Sequence, residues 1–154
     1  ALRQSVLDHW TNSGRPDHLL MSFHGIPKRA VERGDPYESQ CRRTAELLAV
    51  ELNLPTDRWQ ITFQSRFGAA EWLQPYTLPT LEQLGRAGVK SVDVMCPGFP
   101  ADCLETLEEI NMECRETFLA AGGGEFRYVP CLNERPDWIA ALTDRARDRL
   151  APAT

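Results

Sequence analysis

The run His18-Leu-Leu-Met-Ser-Phe23 is apolar almost throughout, with no regular alternation. A strand with one wet face alternates, whereas a strand covered on both faces does not. Val92-Asp-Val-Met-Cys96 reads the same way, and Trp59–Phe63 and Phe126–Pro130 complete a set of four short strands. Helical periodicity fills the intervals: about Leu2–Trp10, closed by Gly14-Arg-Pro16, then Asp35–Asn53, Thr77–Ala87, about Ala101–Ala121, and about Arg135–Leu150. Asp35-Pro-Tyr-Glu38 is a helix start with Asp as cap, and Asn133 is a candidate cap for the last helix. Pro152 and Thr154 read as a frayed tail. Strands alternating with helices predict an α/β fold of three layers, a doubly wound, roughly four-stranded parallel sheet with helices on both faces. The 154 residues suffice for one domain.

In such sheets ligands bind beyond the carboxyl ends of the strands. Three unusual loops fall there: His24-Gly-Ile-Pro27, Gln64–Tyr76 and Cys96–Asp102. The third leads into the expected helix from Ala101, whose apolar positions are Leu104, Leu107, Ile110, Cys114, Phe118 and Ala121. Asp102, Glu105, Glu109 and Glu113 share its other side. That ridge reads either as a solvated acidic face or as a carboxylate ladder for a cation or proton. His24, at a strand tip, reads either as a satisfied structural histidine or as a base. Phe67, Trp72, Tyr76 and Phe99 are either core or the wall of a flat pocket. Taken together, these residues suit an enzyme that handles a flat ligand and a metal ion.

Charge and cysteines narrow the classes. A net charge of −5 without any Lys/Arg run argues against nucleic acid. No stretch approaches the ~20 apolar residues of a membrane span, and the opening Ala-Leu-Arg-Gln is unlike a signal peptide, so a cytoplasmic protein or an internal segment is expected. Five cysteines without a CxxC pair read as reduced, mostly buried thiols rather than a zinc or iron–sulfur site.

Five segments in order, Ser22-Phe-His-Gly-Ile-Pro27, Gly34-Asp-Pro-Tyr37, Phe63–Gly68, Glu71-Trp-Leu-Gln-Pro-Tyr-Thr77 and Asp102–Glu109, resemble the ferrochelatase family. The resemblance covers about Asp17–Leu150. It implies a chelatase-like fold that inserts Fe(II) into protoporphyrin IX, the last step of haem synthesis. His24 then corresponds to the acceptor of pyrrole protons or metal ligand, with Glu105 facing it across the porphyrin. Glu109 and Glu113 extend an acidic line for metal or protons. Trp72 and Phe99 lie near the macrocycle, and Gln64, Ser65 and Arg66 at the pocket rim.

Family members are about twice as long, with two α/β halves around the porphyrin. The resemblance therefore implies that residues 1–154 are the C-terminal half, with the N-terminal half as partner and activity requiring both. Fe(II) is substrate and no cofactor is expected. No [2Fe-2S] cluster is expected either, since no cysteine follows Cys131. Cys103 stands where some relatives have His, so a metal role there is open. Peripheral membrane contact and self-association of the isolated half are compatible with this reading. The competing readings are a cobalt or nickel chelatase of similar fold and a non-catalytic small-molecule binding or interaction half-domain.

Overall fold

The computed structural model describes residues 1–150, so the tail expected at Pro152 and Thr154 lies outside the described residues. Four strands form one parallel sheet: β1 (His18–His24), β2 (Trp59–Gln64), β3 (Ser91–Met95) and β4 (Glu125–Val129), in the order β2-β1-β3-β4. β1 and β3 lie at the centre, and the chain leaves them in opposite directions. Their carboxyl ends therefore flank the switch point where α/β sheets bind ligands.

The missing alternation in β1 has the expected cause. Leu19, Met21 and Phe23 enter one core with Val6, Trp10, Ala45 and Leu48 of the helices α1 (Leu2–Ser13) and α3 (Tyr37–Glu51). Leu20 enters a second core on the opposite face, with Leu81 of α4 (Thr77–Arg86), Ile110, Cys114 and Phe118. Both faces are thus covered. In the second layer α4 crosses closely over the chain near Phe118. A Cβ on Gly85 would lie 2.5 Å from Phe118 O, so only glycine permits that approach.

Three local expectations are corrected. A short helix, α2 (Lys28–Glu32), follows Pro27 where only a turn was read. α3 begins at Tyr37, although Asp35 still caps it by accepting the Tyr37 N–H at 2.9 Å. The acidic helix is not one α-helix from Ala101. It consists of one turn, α5 (Leu104–Leu107), a π-helical turn (Glu109–Cys114), and α6 (Arg115–Ala120). Glu108 O accepts from both Met112 N (3.2 Å) and Glu113 N (3.0 Å), the signature of one extra residue in the turn.

That insertion rotates the first turn out of phase with the rest. Ile110, Cys114 and Phe118 are buried as expected, but Leu104 and Leu107 are 74% and 45% exposed, and Thr106 is buried in their place. The last helix, α7, runs Pro136–Leu150. Asn133 does not serve as its cap. It is hydrogen-bonded instead to Asp102, donating from Nδ2 to Oδ2 (2.7 Å) and accepting the Asp102 N–H (2.8 Å).

β3 carries a fully buried carboxylate, Asp93, within an otherwise apolar strand. Arg127 Nε (2.6 Å) and Trp10 Nε1 (2.7 Å) donate to it. Arg127 also donates to the main-chain oxygens of Ser13 and Gly14 at the end of α1. The cluster thereby ties α1 to β3 and β4. Among the described residues, no helix is long and apolar enough to cross a membrane.

Candidate active site

His24 ends β1 and is half-buried. Its main chain is held on two sides: Tyr37 Oη donates to His24 O (2.8 Å), and the next amide, Gly25 N, donates to Gln64 O (2.8 Å). Its Nδ1 lies 2.6 Å from Gly25 O. A carbonyl can only accept, so Nδ1 carries the proton. In the neutral ring, Nε2 is left with its lone pair free for a proton or a metal ion.

Two aromatic rings flank that imidazole, Trp72 and Phe99, each with its centroid 6.2 Å away. Trp72 is set there by a short antiparallel ribbon. Lys28 N donates to Glu71 O (2.9 Å), Leu73 N donates to Ile26 O (3.0 Å), and Lys28 Nζ pairs with Glu71 (3.0 Å). The ribbon approaches β2 so closely that a Cβ on Gly25 would stand 3.0 Å from Gln64 O and 3.2 Å from the Trp72 ring. Phe99 is placed by a tight turn in which Phe99 N donates to Cys96 O (3.0 Å). It also borders an apolar cleft of about 570 Å³ that reaches Leu47 and Trp138.

The carboxylates divide into three kinds. Glu105 is exposed, and Cys103 Sγ donates to its Oε2 (3.0 Å). The Cys103 thiol, its own backbone N–H and the nearby His24 hold the Glu105 carboxyl below the ordinary range, so it is charged at neutral pH. Glu109 is half-buried and anchored, taking Ser65 N (2.7 Å) on one oxygen and Ser65 Oγ (2.6 Å) on the other. Glu113 is exposed.

Asp102 leaves the expected ridge altogether. It lies ahead of α5 and braces the loops, accepting from Tyr128 Oη (2.6 Å), Asn133 Nδ2 (2.7 Å) and Cys131 N (3.2 Å). Burial works to raise its carboxyl, and these hydrogen bonds outweigh that and hold it below the ordinary aspartate value. Among the described residues, no three His, Cys, Asp or Glu side chains are grouped closely enough to hold a metal ion together. His24, Glu105, Glu109 and Glu113 therefore do not form a closed cage.

The rim residues also separate. Arg66 is exposed, its guanidinium over the Tyr76 ring at 5.0 Å, and Phe67 is 83% exposed. Ser65 adopts φ 62° and spends its amide and hydroxyl on Glu109. Gln64 is only 3% exposed, so the expectation of a rim position is corrected. Its amide is turned into the sheet edge by partners on both sides, described below.

Tyr37 and Cys103, which hold the His24 main chain and the Glu105 carboxylate, were not singled out for those roles. Tyr37 stood out within the Gly34-Asp-Pro-Tyr37 segment and at the start of a helix. All five cysteines are unpaired. Four are buried, and burial pushes the Cys114 and Cys131 thiols up to about 12, which leaves them unreactive.

The Ferrochelatase family model matches residues 1–150. The chain belongs to the ferrochelatase family. It is 67% identical over 150 residues to the ferrochelatase of Aromatoleum aromaticum, covering 97% of this chain and 41% of that protein. It is 66% identical to that of Azoarcus sp. strain BH72 (96% and 40%) and 62% identical to that of Herminiimonas arsenicoxydans (95% and 40%). The chain thus spans 40–41% of the length of these ferrochelatases.

Proposed function

We propose that this chain is the C-terminal half of an enzyme that inserts Fe(II) into protoporphyrin IX. The observation that carries the reading is His24 at the switch point, its Nε2 free, between Trp72 and Phe99 and beside a charged Glu105. A porphyrin takes up a divalent metal by giving up two pyrrole protons, so a base must stand near the ring nitrogens. A histidine whose Nδ1–H is already committed to a carbonyl presents such a base in a fixed tautomer.

The aromatic rings can press a flat macrocycle out of plane and expose its lone pairs, with the strain drawn from contacts elsewhere on the ligand. Glu105 faces the same space. Glu109 and Glu113 continue the negative charge along the helical segment behind it, a path for a weakly held cation or a released proton. Because these groups form no closed cage, an ion passing along them is not trapped.

A planar ligand needs a wall on each face, and burial of 70–90% of its surface requires both. The residues described here supply one wall. We assign the other to the N-terminal half, and the apolar cleft beside Phe99 supports the idea that more protein packs at this edge. Activity then requires the two halves together. Fe(II) is a substrate, and the reading needs no further cofactor. We place the protein in the cytoplasm, where five unpaired cysteines fit a reducing environment.

The test is anaerobic metallation of protoporphyrin by the complete polypeptide, followed by absorbance, for wild type and His24→Ala. Loss of a general base costs ~10²–10⁴-fold in kcat. Wild-type turnover by the variant would remove His24 from the proton step.

A further inference from the structure

Gln64 is the last residue of β2 and stands opposite His24 in the register of the sheet. It is buried, yet its amide is saturated by partners from four separate parts of the chain. Its Oε1 accepts from Ser22 Oγ of β1 (2.7 Å) and from Cys96 Sγ just after β3 (3.4 Å). Its Nε2 donates to Glu105 O in α5 (2.6 Å) and lies 3.5 Å from Glu109 Oε2 in the π turn. The Glu105 carbonyl can only accept, which fixes the orientation of the amide. Ser22 Oγ lies in turn 2.8 Å from Thr77 Oγ1, at the start of α4.

We propose that Gln64 is a positioning residue. Its side-chain amide sets the main chain at Glu105 and, with Ser65, the Glu109 carboxylate at a fixed distance from His24. The inference rests on the metallation reading for its kinetic consequence but not for its structural one.

The case is one of chemistry and place. A buried position whose only task is to fill space is best served by an apolar side chain. Here the tip must accept on one side, toward the sheet, and donate on the other, toward the carboxylate turn. Among uncharged side chains long enough to do this, only glutamine carries an acceptor and a two-proton donor at one tip. α5 has four residues, and Leu104 and Leu107 are exposed. Few apolar contacts therefore secure this turn to the sheet, and the Gln64–Glu105 bond is a principal tie. Misplacement of a group by about 1 Å at a reacting centre can cost ~10²-fold in rate.

The test uses the complete polypeptide with Gln64→Met, which keeps the length and loses every hydrogen bond of the amide, and Gln64→Glu, which keeps the volume and the Ser22 contact. Two readouts are taken: steady-state Fe(II) insertion, and amide hydrogen exchange resolved by residue. For Gln64→Met we expect kcat to fall ~10²-fold with KM for porphyrin unchanged, because Trp72 and Phe99 are untouched. Exchange should rise across Leu104–Glu109 but not in β1 or β2. Gln64→Glu should change both in the same direction, and it decides the question if Gln64→Met does not fold.

Wild-type kcat in a folded variant, or faster exchange spread over β1 and β2 as well, would overturn the inference and make Gln64 a packing residue only. If the wild-type protein inserts no iron, the metallation reading fails. Exchange then decides by itself whether Gln64 holds the Glu105 turn.

Discussion

Replacing Gly25 with alanine tests how tightly Trp72 is clamped against His24. The added Cβ would stand 3.0 Å from Gln64 O, a main-chain atom, and 3.2 Å from the Trp72 ring. Comfortable carbon contacts begin near ~3.5 Å, so something must move by roughly 0.3–0.5 Å. Gln64 O accepts the Gly25 amide and belongs to the sheet, so it is the stiffer neighbour. The Trp72 ribbon, tied by two main-chain bonds and one exposed ion pair, yields first. Overpacking of this kind costs about 1–3 kcal/mol, which equilibrium urea unfolding would show as a lower midpoint at unchanged slope.

The same shift moves the indole away from the imidazole. Metal insertion by the complete polypeptide should fall by about 10-fold or more, up to the ~10²-fold that a 1 Å displacement can cause. With unfolding followed by tryptophan fluorescence, Trp72→Phe measured in parallel identifies the part of the signal that belongs to this ring. Gly25→Ala with wild-type stability and wild-type turnover would refute the reasoning, because it would show that the clamp has slack.

Other consequences can be checked directly. Asp93→Ala removes the nearer carboxylate from the largely buried Arg127, which keeps Glu125 at 3.7 Å and the Ser13 and Gly14 oxygens, and releases Trp10 Nε1, so unfolding free energy should drop by up to about 3–5 kcal/mol. Replacement of the cluster by apolar residues of similar volume should recover much of that loss. Asp102 has a folded-state pKa below its ordinary 3.8, so its stabilising effect is complete above that pH and is lost as pH falls through the folded value. The stability gap between wild type and Asp102→Ala, measured by denaturant titration from pH 6 to pH 2, should therefore narrow on acidification, and a gap that widens would be inconsistent with the brace.

The sheet was readable because a strand covered on both faces must be apolar at successive positions, and His18–Phe23 and Val92–Cys96 are. His24 was readable as the first titratable group past such a strand. The break in the acidic helix was not. Leu104, Leu107 and Ile110 keep a spacing of three, which an unbroken α-helix would place on one face, and one extra residue per turn leaves no mark in that pattern. Gln64 read as the first residue of a loop and, by resemblance, as part of a pocket rim, and such residues are usually wet. Its burial depends on Ser22, Cys96 and Glu105, which are distant in sequence. Asp93 likewise read as part of an apolar run, because Trp10 and Arg127, which make its charge tolerable, lie far away along the chain.

The doubled bond at Glu108 O has a consequence for chain length. A π turn holds one residue more than an α turn, so it is an insertion absorbed without a bulge into a loop. Deleting a single residue between Glu109 and Glu113 would let the helix close as a regular α-helix, and every bond in it would be good. Ile110 and Phe118, on the two sides of the cut, would then stand seven residues apart, about two full turns, and would still both face the sheet. The converse does turn α5: the same number of residues wound as an unbroken α-helix, with the cores holding the second half, would carry Glu105 about 100° around the axis. The orientation of that carboxylate toward His24 is thus a matter of counting: it depends on the number of residues in the segment as well as on their kind.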